Sequence, residues 1–323
     1  MLFKNIKILV AGATGLIGSH LLVRLLDEGA LVRATLHKKD PVILDPRIEY
    51  IRCDLTNGAD CRRAVDGIQH VHLCAANSSG AGMISASPMI HVTPNILINS
   101  QMLEAAYEAG VEKFIWLGST IAYPNSDQPM KEDQLMNEEP FDKYYYAGWA
   151  KRFMEILCRM YGEKLPRPMT TIVLRPTNVY GPMDDFEFAT SHVIPALIRK
   201  SIERWEPIEV WGDGSEVRDA IYVDDMVEAM VLAAVKINKY EAINIGLGKG
   251  YSVRELLSLI TELDGFEKAD IKYDPSKPTM IPVRLIDTSK AESLLGFRAS
   301  IDIREGLGRT IEWYRENRGI NRP

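Results

Sequence analysis

Glycines recur near the amino terminus at a spacing that could hold a diphosphate group. They lie between an apolar run, Ile6 to Ala11, that predicts a buried strand and an amphipathic segment, Leu16 to Glu28, that predicts a helix. A glycine-rich turn at such a junction can bring backbone N–H groups and a helix amino terminus against a pyrophosphate. Glycines alone could merely form a tight turn, but the strand before them and the helix after them favour a dinucleotide site. The residues of this predicted site are Gly12, Thr14, Gly15, Leu16, Ile17 and Gly18.

The end of the second predicted strand should distinguish the two nicotinamide cofactors. A carboxylate there would bond the adenosine ribose 2′-hydroxyl, whereas a cation would suit a 2′-phosphate. The chain has no acid at this point, and either Arg33 or the cluster His37, Lys38 and Lys39 could pair with a phosphate. We therefore favour NADP(H), with NAD(H) as the alternative. A solvated basic turn has nearly equal weight, because runs of charge usually face water.

Another group of residues could exchange a proton with a substrate carbonyl. A tyrosine four residues before a lysine shares its helix face, and the lysine charge lowers the pKa of the phenol towards working pH. The residue four before Lys151 is Ala147, whose methyl group has no proton to give. Tyr146 is five residues before Lys151, roughly 140° around a regular helix, so it could substitute only through a bulge. A tyrosine is expected at position 147 only through the family resemblance given below, and three explanations for its absence remain open: a deliberate Tyr-to-Ala change, which we favour, a natural redox-inactive variant, and a register shift that uses Tyr146.

The elements that must position these residues alternate regularly in the first half of the chain. This order is typical of βαβ units around a parallel sheet, and after Pro176 the pattern becomes irregular. We predict an α/β fold, a Rossmann-type doubly wound parallel sheet with a smaller α/β carboxy-terminal substrate-binding lobe. The predicted dinucleotide-binding domain is 1–177 plus about 219–245, and the predicted lobe is 178–218 and 246–323. Further predicted strands are 31–36, 48–53, 71–75, 113–118 and 171–175, and predicted helices include 95–109 and about 146–160.

The composition is that of an ordinary globular protein and argues against several classes of function. Of 323 residues, 46% are hydrophobic, and no apolar run approaches the length that a bilayer span needs. A formal net charge of −6 argues against a broad nucleic-acid-binding surface. The cysteines form no CxxC pair, and His70 and His72 alone make a poor metal site, so we expect no metal. The amino terminus lacks the cleavage pattern of a secretory signal, and we expect a cytoplasmic protein.

The glycine spacing and the segment around Lys151 resemble the extended short-chain dehydrogenase/reductase family. That family reduces or oxidises a carbonyl with a serine or threonine that orients the oxygen, a tyrosine that exchanges the proton and a lysine. The resemblance implies such roles for Ser119, Thr120 and Lys151. The cofactor contacts that it implies, besides the glycine turn and His37 and Lys38, are Asp54, Leu55, Ala75, Ala76, Asn95, Lys151, Pro176, Asn178 and Val179.

Two downstream segments, Ser191 to Leu197 and Val210 to Gly212, resemble the GDP-L-fucose synthase branch of that family. Its members epimerise and reduce a GDP-4-keto-6-deoxy-hexose, using a cysteine two residues after the serine and the histidine of the first segment. Here His192 is present, but Ile121 stands at the cysteine position and has no proton to exchange. His192 could act alone, orient the sugar or cap its helix. The substrate-binding residues that the resemblance implies are Ser119, Asn178, His192, Val193, Trp211 and Arg218, whose guanidinium suits a diphosphate.

Two classes of function therefore compete. The leading hypothesis is a nucleotide-sugar 4-reductase that binds a nucleotide-diphosphate sugar, or a 4-epimerase that retains NAD. The rival is a redox-silent dinucleotide-binding scaffold or sensor, motivated by Ala147. The resemblance also implies a homodimer, formed by the helices at 95–109 and 146–160 as a four-helix bundle. We expect neither nucleic acid nor a membrane as a partner.

Overall fold

Strands and helices alternate along most of the chain. A computed structural model of the protein describes residues 1–77, 89–277 and 279–318. In chain order the strands are β1 (Lys7–Ala11), β2 (Leu31–Leu36), β3 (Ile48–Arg52), β4 (His70–Leu73), β5 (Lys113–Leu117), β6 (Thr170–Pro176), β7 (Asn178–Tyr180), β8 (Ile208–Trp211), β9 (Val217–Tyr222), β10 (Glu241–Ile245), β11 (Gly250–Ser252), β12 (Ile271–Asp274) and β13 (Val283–Arg284). The helices are α1 (Leu16–Asp27), α2 (Gly58–Val65), α3 (Met89–Glu108), α4 (Tyr145–Glu163), α5 (Val193–Ile202), α6 (Val223–Lys236), α7 (Val253–Leu263), α8 (Ser289–Leu295) and α9 (Ile303–Arg318).

A parallel sheet lies at the centre, with the strand order β10-β6-β5-β4-β1-β2-β3. The chain builds outwards from β1 to β3 on one side and then continues from β4 on the other side of β1. The order therefore reverses between β1 and β4, which is where open α/β sheets bind ligands at the carboxyl ends of their strands. The predicted Rossmann-type fold is confirmed.

Alternate residues of β1 face two hydrophobic cores. Ile8 and Val10 join the core that includes residues of α1 and α6, whereas Leu9 joins the core under α2, α3 and α4. This alternation follows from the pleat of a strand, whose successive side chains point to opposite faces. Helices thus cover both faces of the sheet, as the apolar runs of its strands require.

Smaller sheets follow the central one in the chain. Strand β9 pairs with β7 and β13 in parallel and with β11 antiparallel, and β8 pairs with β12 in parallel. Residues 241–245 return to the central sheet as β10, next to β6. The domain boundaries given above stay a prediction. Within the described residues, every helix falls short of the length and apolar character that a membrane span needs.

The helix predicted to open at Asn95 begins earlier, at Met89, with Pro94 inside it. The prediction of its start is therefore wrong, because the chain continues the helix through a proline that usually ends one. Asn95 instead uses its side chain to hold the chain that leaves β4. Its amide Nδ2 donates to Asn77 O at 2.9 Å, and its Oδ1 accepts from Asn77 N at 2.7 Å.

Two histidines lie inside the sheet on β4. His72 is fully buried and His70 nearly so. Among the described residues, neither ring nitrogen of His72 has a hydrogen-bond partner, and Nδ1 of His70 has none. Burial lowers the pKa of His70 to about 4 and that of His72 to about 3. Both rings are therefore neutral core side chains at pH 7.

We expect the free energy of unfolding to decrease as the pH falls below 6.5, the ordinary pKa of histidine. The folded pKa values lie below that of the unfolded chain, so the unfolded chain binds more protons in this range. Each pH unit costs about 1.4 kcal/mol per histidine. In urea unfolding at pH 7 and pH 5, the His72→Leu variant should lose about 2 kcal/mol less than the unchanged protein. A His37→Gln variant, changed at an exposed site, is the control, and an equal loss in His72→Leu and the unchanged protein would contradict the prediction.

Candidate active site

The glycine turn packs tightly against the end of β4. Gly12 has a φ of +89°, and a Cβ on it would lie 2.5 Å from the backbone nitrogen of Ala75. A Cβ on Gly18 would lie 2.2 Å from the carbonyl oxygen of Gly12. For Gly15 the nearest atom to that position is 3.7 Å away, and the residue is exposed. Gly12 and Gly18 therefore shape the turn, and Gly15 leaves its outer side open.

The first turn of α1 fits an anion. The amides of Leu16, Ile17 and Gly18 precede the first intrahelical bond, which Ser19 N donates to Gly15 O at 3.0 Å, so they have no acceptor within the helix. No acidic residue lies in this turn. Ala75 and Ala76 follow β4 beside it, with Thr14 half-buried. This cradle, which a Cβ at Gly12 or Gly18 would distort, fits a dinucleotide diphosphate.

The residues predicted to contact the adenosine lie directly after two neighbouring strands, β2 and β3. His37 and Lys38 are exposed after β2. Asp54 follows β3, and its Oδ1 accepts from the hydroxyl of Thr56 at 2.7 Å and from its amide at 3.0 Å. These hydrogen bonds lower the pKa of Asp54, with smaller contributions from His37 and Lys38. Leu55 next to it is buried.

Arg33 is not placed to meet a phosphate. Its Nη1 donates to Ala64 O at 3.1 Å and to Asp66 O at 2.8 Å, and its Nε lies 3.0 Å from Glu49 Oε2. The guanidinium thus ties β2 to β3 and to the end of α2. Of the two cation sources that the sequence offered, the cluster from His37 to Lys39 is the one left facing solvent.

Lys151 of α4 lies against the end of β5, just before Ser119. Its Nζ donates to Leu117 O at 3.0 Å and lies 4.7 Å from the centre of the Trp116 ring. Burial lowers the pKa of Lys151 to about 8. The hydroxyl oxygen of Ser119 accepts from Ile121 N at 3.3 Å. Within the described part of the chain this hydroxyl donates to no acceptor, so its proton can be given to a substrate oxygen.

Three other predicted catalytic positions differ in their surroundings. Thr120 is buried in a 3-10 turn, and Ala147 is half-buried one helical turn before Lys151. Tyr146 is 66% exposed and forms a T-shaped pair with Tyr145, 5.4 Å between ring centres. Helix α4 is a regular α-helix from Tyr145 onwards, without a bulge that would turn Tyr146 towards Lys151. The geometry gives the register shift no support.

Two arginines form a cationic cluster in the smaller sheets. Arg218 of β9 and Arg284 of β13 are neighbours in the strand register. Arg218 Nη1 donates to Val217 O at 2.9 Å and to Pro282 O at 3.3 Å. Burial, together with the charge of Arg284, lowers the pKa of Arg218 to about 10. Adjacent guanidinium groups of this kind suit a diphosphate.

Arg284 is a candidate that sequence reasoning missed. Its Nε and Nη2 are buried without a hydrogen-bond partner among the described residues. Its guanidinium carbon lies 4.5 Å from the ring centre of Tyr144, which itself packs with Ile121, Met280 and Ile281. The available signal was an arginine inside the apolar run from Ile281 to Ile286. Ile121 is thus part of an apolar cluster.

The remaining predicted cofactor-binding and substrate-binding residues lie at the end of β6 or after it. Pro176 ends β6, and Asn178 and Val179 are half-buried on β7. His192 precedes α5, and its side chain does not cap the helix, while Val193 is half-buried. Trp211 ends β8 with 41% of its surface exposed, and Lys277 Nζ lies 6.0 Å from its ring centre. His192 is thus the N-cap residue of α5 by position, without a capping hydrogen bond from its side chain.

Known proteins share this arrangement. A family model described as the NAD dependent epimerase/dehydratase family matches residues 8–246. The chain belongs to that family. GDP-L-fucose synthase 1 of Arabidopsis thaliana is 33% identical over 97% of this chain and 94% of its own length. GDP-L-fucose synthase of Escherichia coli K12 is 30% identical over 96% of this chain and 97% of its own.

A solved structure supports the same assignment. UDP-glucose 4-epimerase of Thermotoga maritima, determined with UDP-glucose, superimposes with a TM-score of 0.87 at 28% identity, covering 97% of this chain and 99% of that chain. The predicted family resemblance, including the GDP-L-fucose synthase branch, is confirmed. The chain thus belongs to a family of NAD-dependent epimerases and dehydratases, and the relatives named above include GDP-L-fucose synthases and a UDP-glucose 4-epimerase.

Proposed function

We propose that the protein transfers hydride at C4 of a nucleotide-diphosphate hexose, as a reductase of GDP-4-keto-6-deoxy-hexoses. The observation that carries the proposal is the hydrogen bond from Lys151 to Leu117 O at the carboxyl end of β5, two residues before Ser119 and at the same edge of the sheet as the glycine turn. Bound NAD(P)H would supply the hydride. Ser119 would orient the carbonyl oxygen, and Arg218 with Arg284 would hold the diphosphate.

Epimerisation at the carbons beside the ketone is not part of this proposal. It needs a base and an acid, and Ile121 packs in an apolar cluster where the related enzymes have a cysteine. His192 would orient the sugar. The second candidate is a 4-epimerase that retains its cofactor, favoured by the likeness to a UDP-glucose 4-epimerase. The redox-silent dinucleotide-binding scaffold is also a candidate, favoured by Ala147, whose methyl group has no proton to exchange.

We propose NADP(H) as the preferred cofactor and NAD(H) as the alternative. His37 and Lys38 are exposed beside Asp54, where a 2′-phosphate of the adenosine ribose would lie. Oδ1 of Asp54 already accepts two hydrogen bonds from Thr56, which favours the cations over this carboxylate as the group that selects the cofactor. A cytoplasmic location stays a prediction.

A second copy of the chain is the proposed partner of the outer face of α3 and α4. This face exposes large apolar side chains, and a hollow on it is lined by both helices. Exposed apolar patches of this kind mark protein interfaces. The exposed side chains are Ile96, Leu97, Tyr146, Trp149, Phe153, Ile156 and Met160.

Binding of GDP-hexoses to arginine variants tests the proposed function. We expect Arg218→Met and Arg284→Met each to raise the Kd by about 10-fold to 100-fold, since a hydrogen bond to a charged group contributes about 1.5–3 kcal/mol. Arg298→Met, at an exposed arginine paired with Glu292, is the matched control. Titration calorimetry measures the Kd, with UDP-hexoses compared in parallel.

Turnover assays complete the test. The protein is incubated with GDP-4-keto-6-deoxy-hexose and either NADPH or NADH, while nicotinamide absorbance and the stereochemistry at C3, C4 and C5 are followed. We expect reduction at C4 with C3 and C5 unchanged. If no nucleotide sugar binds and none is converted by the protein or by its Ala147→Tyr variant, the proposed function is wrong.

A further inference from the structure

Position 147 carries no phenol, yet a buried cation lies one helical turn away. Ala147 and Lys151 share a helix face, and the alanine side chain on that face ends at a methyl group. Lys151 Nζ donates to Leu117 O, which is its one hydrogen bond among the described residues. An ammonium has three N–H donors. Two of them therefore remain for a bound molecule.

The nearest carboxylate on the same helix is committed to another partner. Glu155, four residues after Lys151, is held by Arg175, with Nη2 to Oε2 at 2.6 Å and Nε to Oε1 at 3.0 Å. Lys151 forms no ion pair with any carboxylate in the described part of the chain. Its charge is therefore buried without a neutralising anion, against a carbonyl oxygen and an indole ring.

Other charged groups on the neighbouring elements are directed elsewhere. From β6, Arg175 bonds Glu155 and the hydroxyl of Tyr123, which donates to Asn244. Arg152 Nε, on the same helix, donates to Ala122 O. In the turn before α4, Tyr144 lies under Arg284. The charges of Glu104 and Glu108 on α3 contribute, after burial, to a raised pKa of Tyr161, which lies near the other end of α4.

We propose that Lys151 itself exchanges the proton with the substrate oxygen in this chain. This role rests on the proposed function. Bound NAD(P)H would supply the hydride to the carbonyl carbon and would be the electron donor. The π electrons of the C=O bond would move to oxygen, and a proton of the Lys151 ammonium would move to that oxygen, so that the carbonyl is reduced to an alcohol. The neutral amine of Lys151 would regain a proton from water. Ser119 donates a hydrogen bond to the same oxygen.

The acidity of Lys151 suits this step. Burial lowers its pKa to about 8, an effect that the charge of Glu155 opposes. A general acid works best when its pKa lies near the operating pH. Lys151 is therefore protonated at pH 7 and can still release a proton readily.

Direct titration of Lys151 is the first test and needs no turnover. The side-chain carbon resonances of isotope-labelled lysines are followed by NMR in the full chain, and a Lys151→Arg variant assigns the signal. We expect a midpoint near pH 8 for Lys151. A midpoint at the ordinary value of 10.5 or above would overturn the proposal.

The second test compares rates. The unchanged protein should reduce a GDP-4-keto-6-deoxy-hexose slowly, with a rate that falls about tenfold per pH unit above the lysine pKa. Lys151→Arg keeps the positive charge but does not release a proton, so it should bind cofactor and lose at least about 100-fold in kcat. An unchanged rate and pH profile in Lys151→Arg would also overturn the proposal.

The outcomes separate this role from the proposed function. If the unchanged protein binds a nucleotide sugar without converting it, whereas Ala147→Tyr converts it, the role of Lys151 is wrong, and the proposed substrate and reaction hold for the site once it carries a tyrosine. If neither protein binds or converts any nucleotide sugar, both are wrong.

Discussion

Replacing Ala147 by tyrosine should raise kcat by about 10-fold to 10²-fold, less than the usual contribution of a positioned general acid, about 10²-fold to 10⁴-fold, because Lys151 already supplies a slower one. The new phenol would lie four residues before Lys151, on the same face of α4. The buried ammonium would stabilise the tyrosinate and lower the pKa of the phenol. Reduction of a GDP-4-keto-6-deoxy-hexose under saturating NADPH measures the gain.

An Ala147→Phe variant is the matched control for this substitution. Phenylalanine fills the same space without a hydroxyl, so it should show no gain in kcat. If tyrosine and phenylalanine have equal effects, the space at position 147 matters and the proton does not. If tyrosine gives no gain at all, the idea that this chain is a crippled reductase is wrong.

Removing Arg175 should destabilise the protein by about 3–5 kcal/mol, because it leaves a buried charge without a partner. Arg175 and Glu155 expose only 4% and 3% of their side chains. Arg175→Met would strand the Glu155 carboxylate between β6 and α4, and would also remove the hydrogen bond to Tyr123. Chemical denaturation at pH 7 measures the loss in the free energy of unfolding.

A double-mutant cycle separates the stranded charge from lost packing. The variant Arg175→Met with Glu155→Leu should recover much of the stability, because an apolar pair often replaces a buried ion pair without loss. The exposed pair Arg298 and Glu292 gives the control, and Arg298→Met should cost less than about 1 kcal/mol. A small effect of Arg175→Met, comparable to this control, would contradict the prediction.

The central sheet and its glycine-rich turn could be predicted because their signals are local. Apolar runs with helical segments between them fix the βαβ order, and Gly12, Gly15 and Gly18 lie at the one junction that a diphosphate needs. The same locality made the pairing of Lys151 with position 147 readable from helical periodicity. These predictions required no knowledge of contacts between distant segments.

The second arginine could not be predicted in this way. Strand β13 has two residues, too short for a periodic signal, and Arg284 meets Arg218 through a strand register between distant segments. Arg33 is a residue for which the sequence suggested a site that the fold does not support. Its position suited a phosphate, but its guanidinium is bound to Ala64, Asp66 and Glu49 and so has a structural role. The roles of the site residues and the domain boundaries therefore stay predictions.

Arg284 has a consequence for how the free protein responds to heat. A buried polar group without a partner costs about 1–3 kcal/mol, and Nε and Nη2 of Arg284 are such groups among the described residues. A molecule that supplies oxygen acceptors there would relieve this cost. It would bind the folded chain and not the unfolded one. Its concentration would then set the melting temperature, so the resting protein should be the most heat-sensitive form of the molecule.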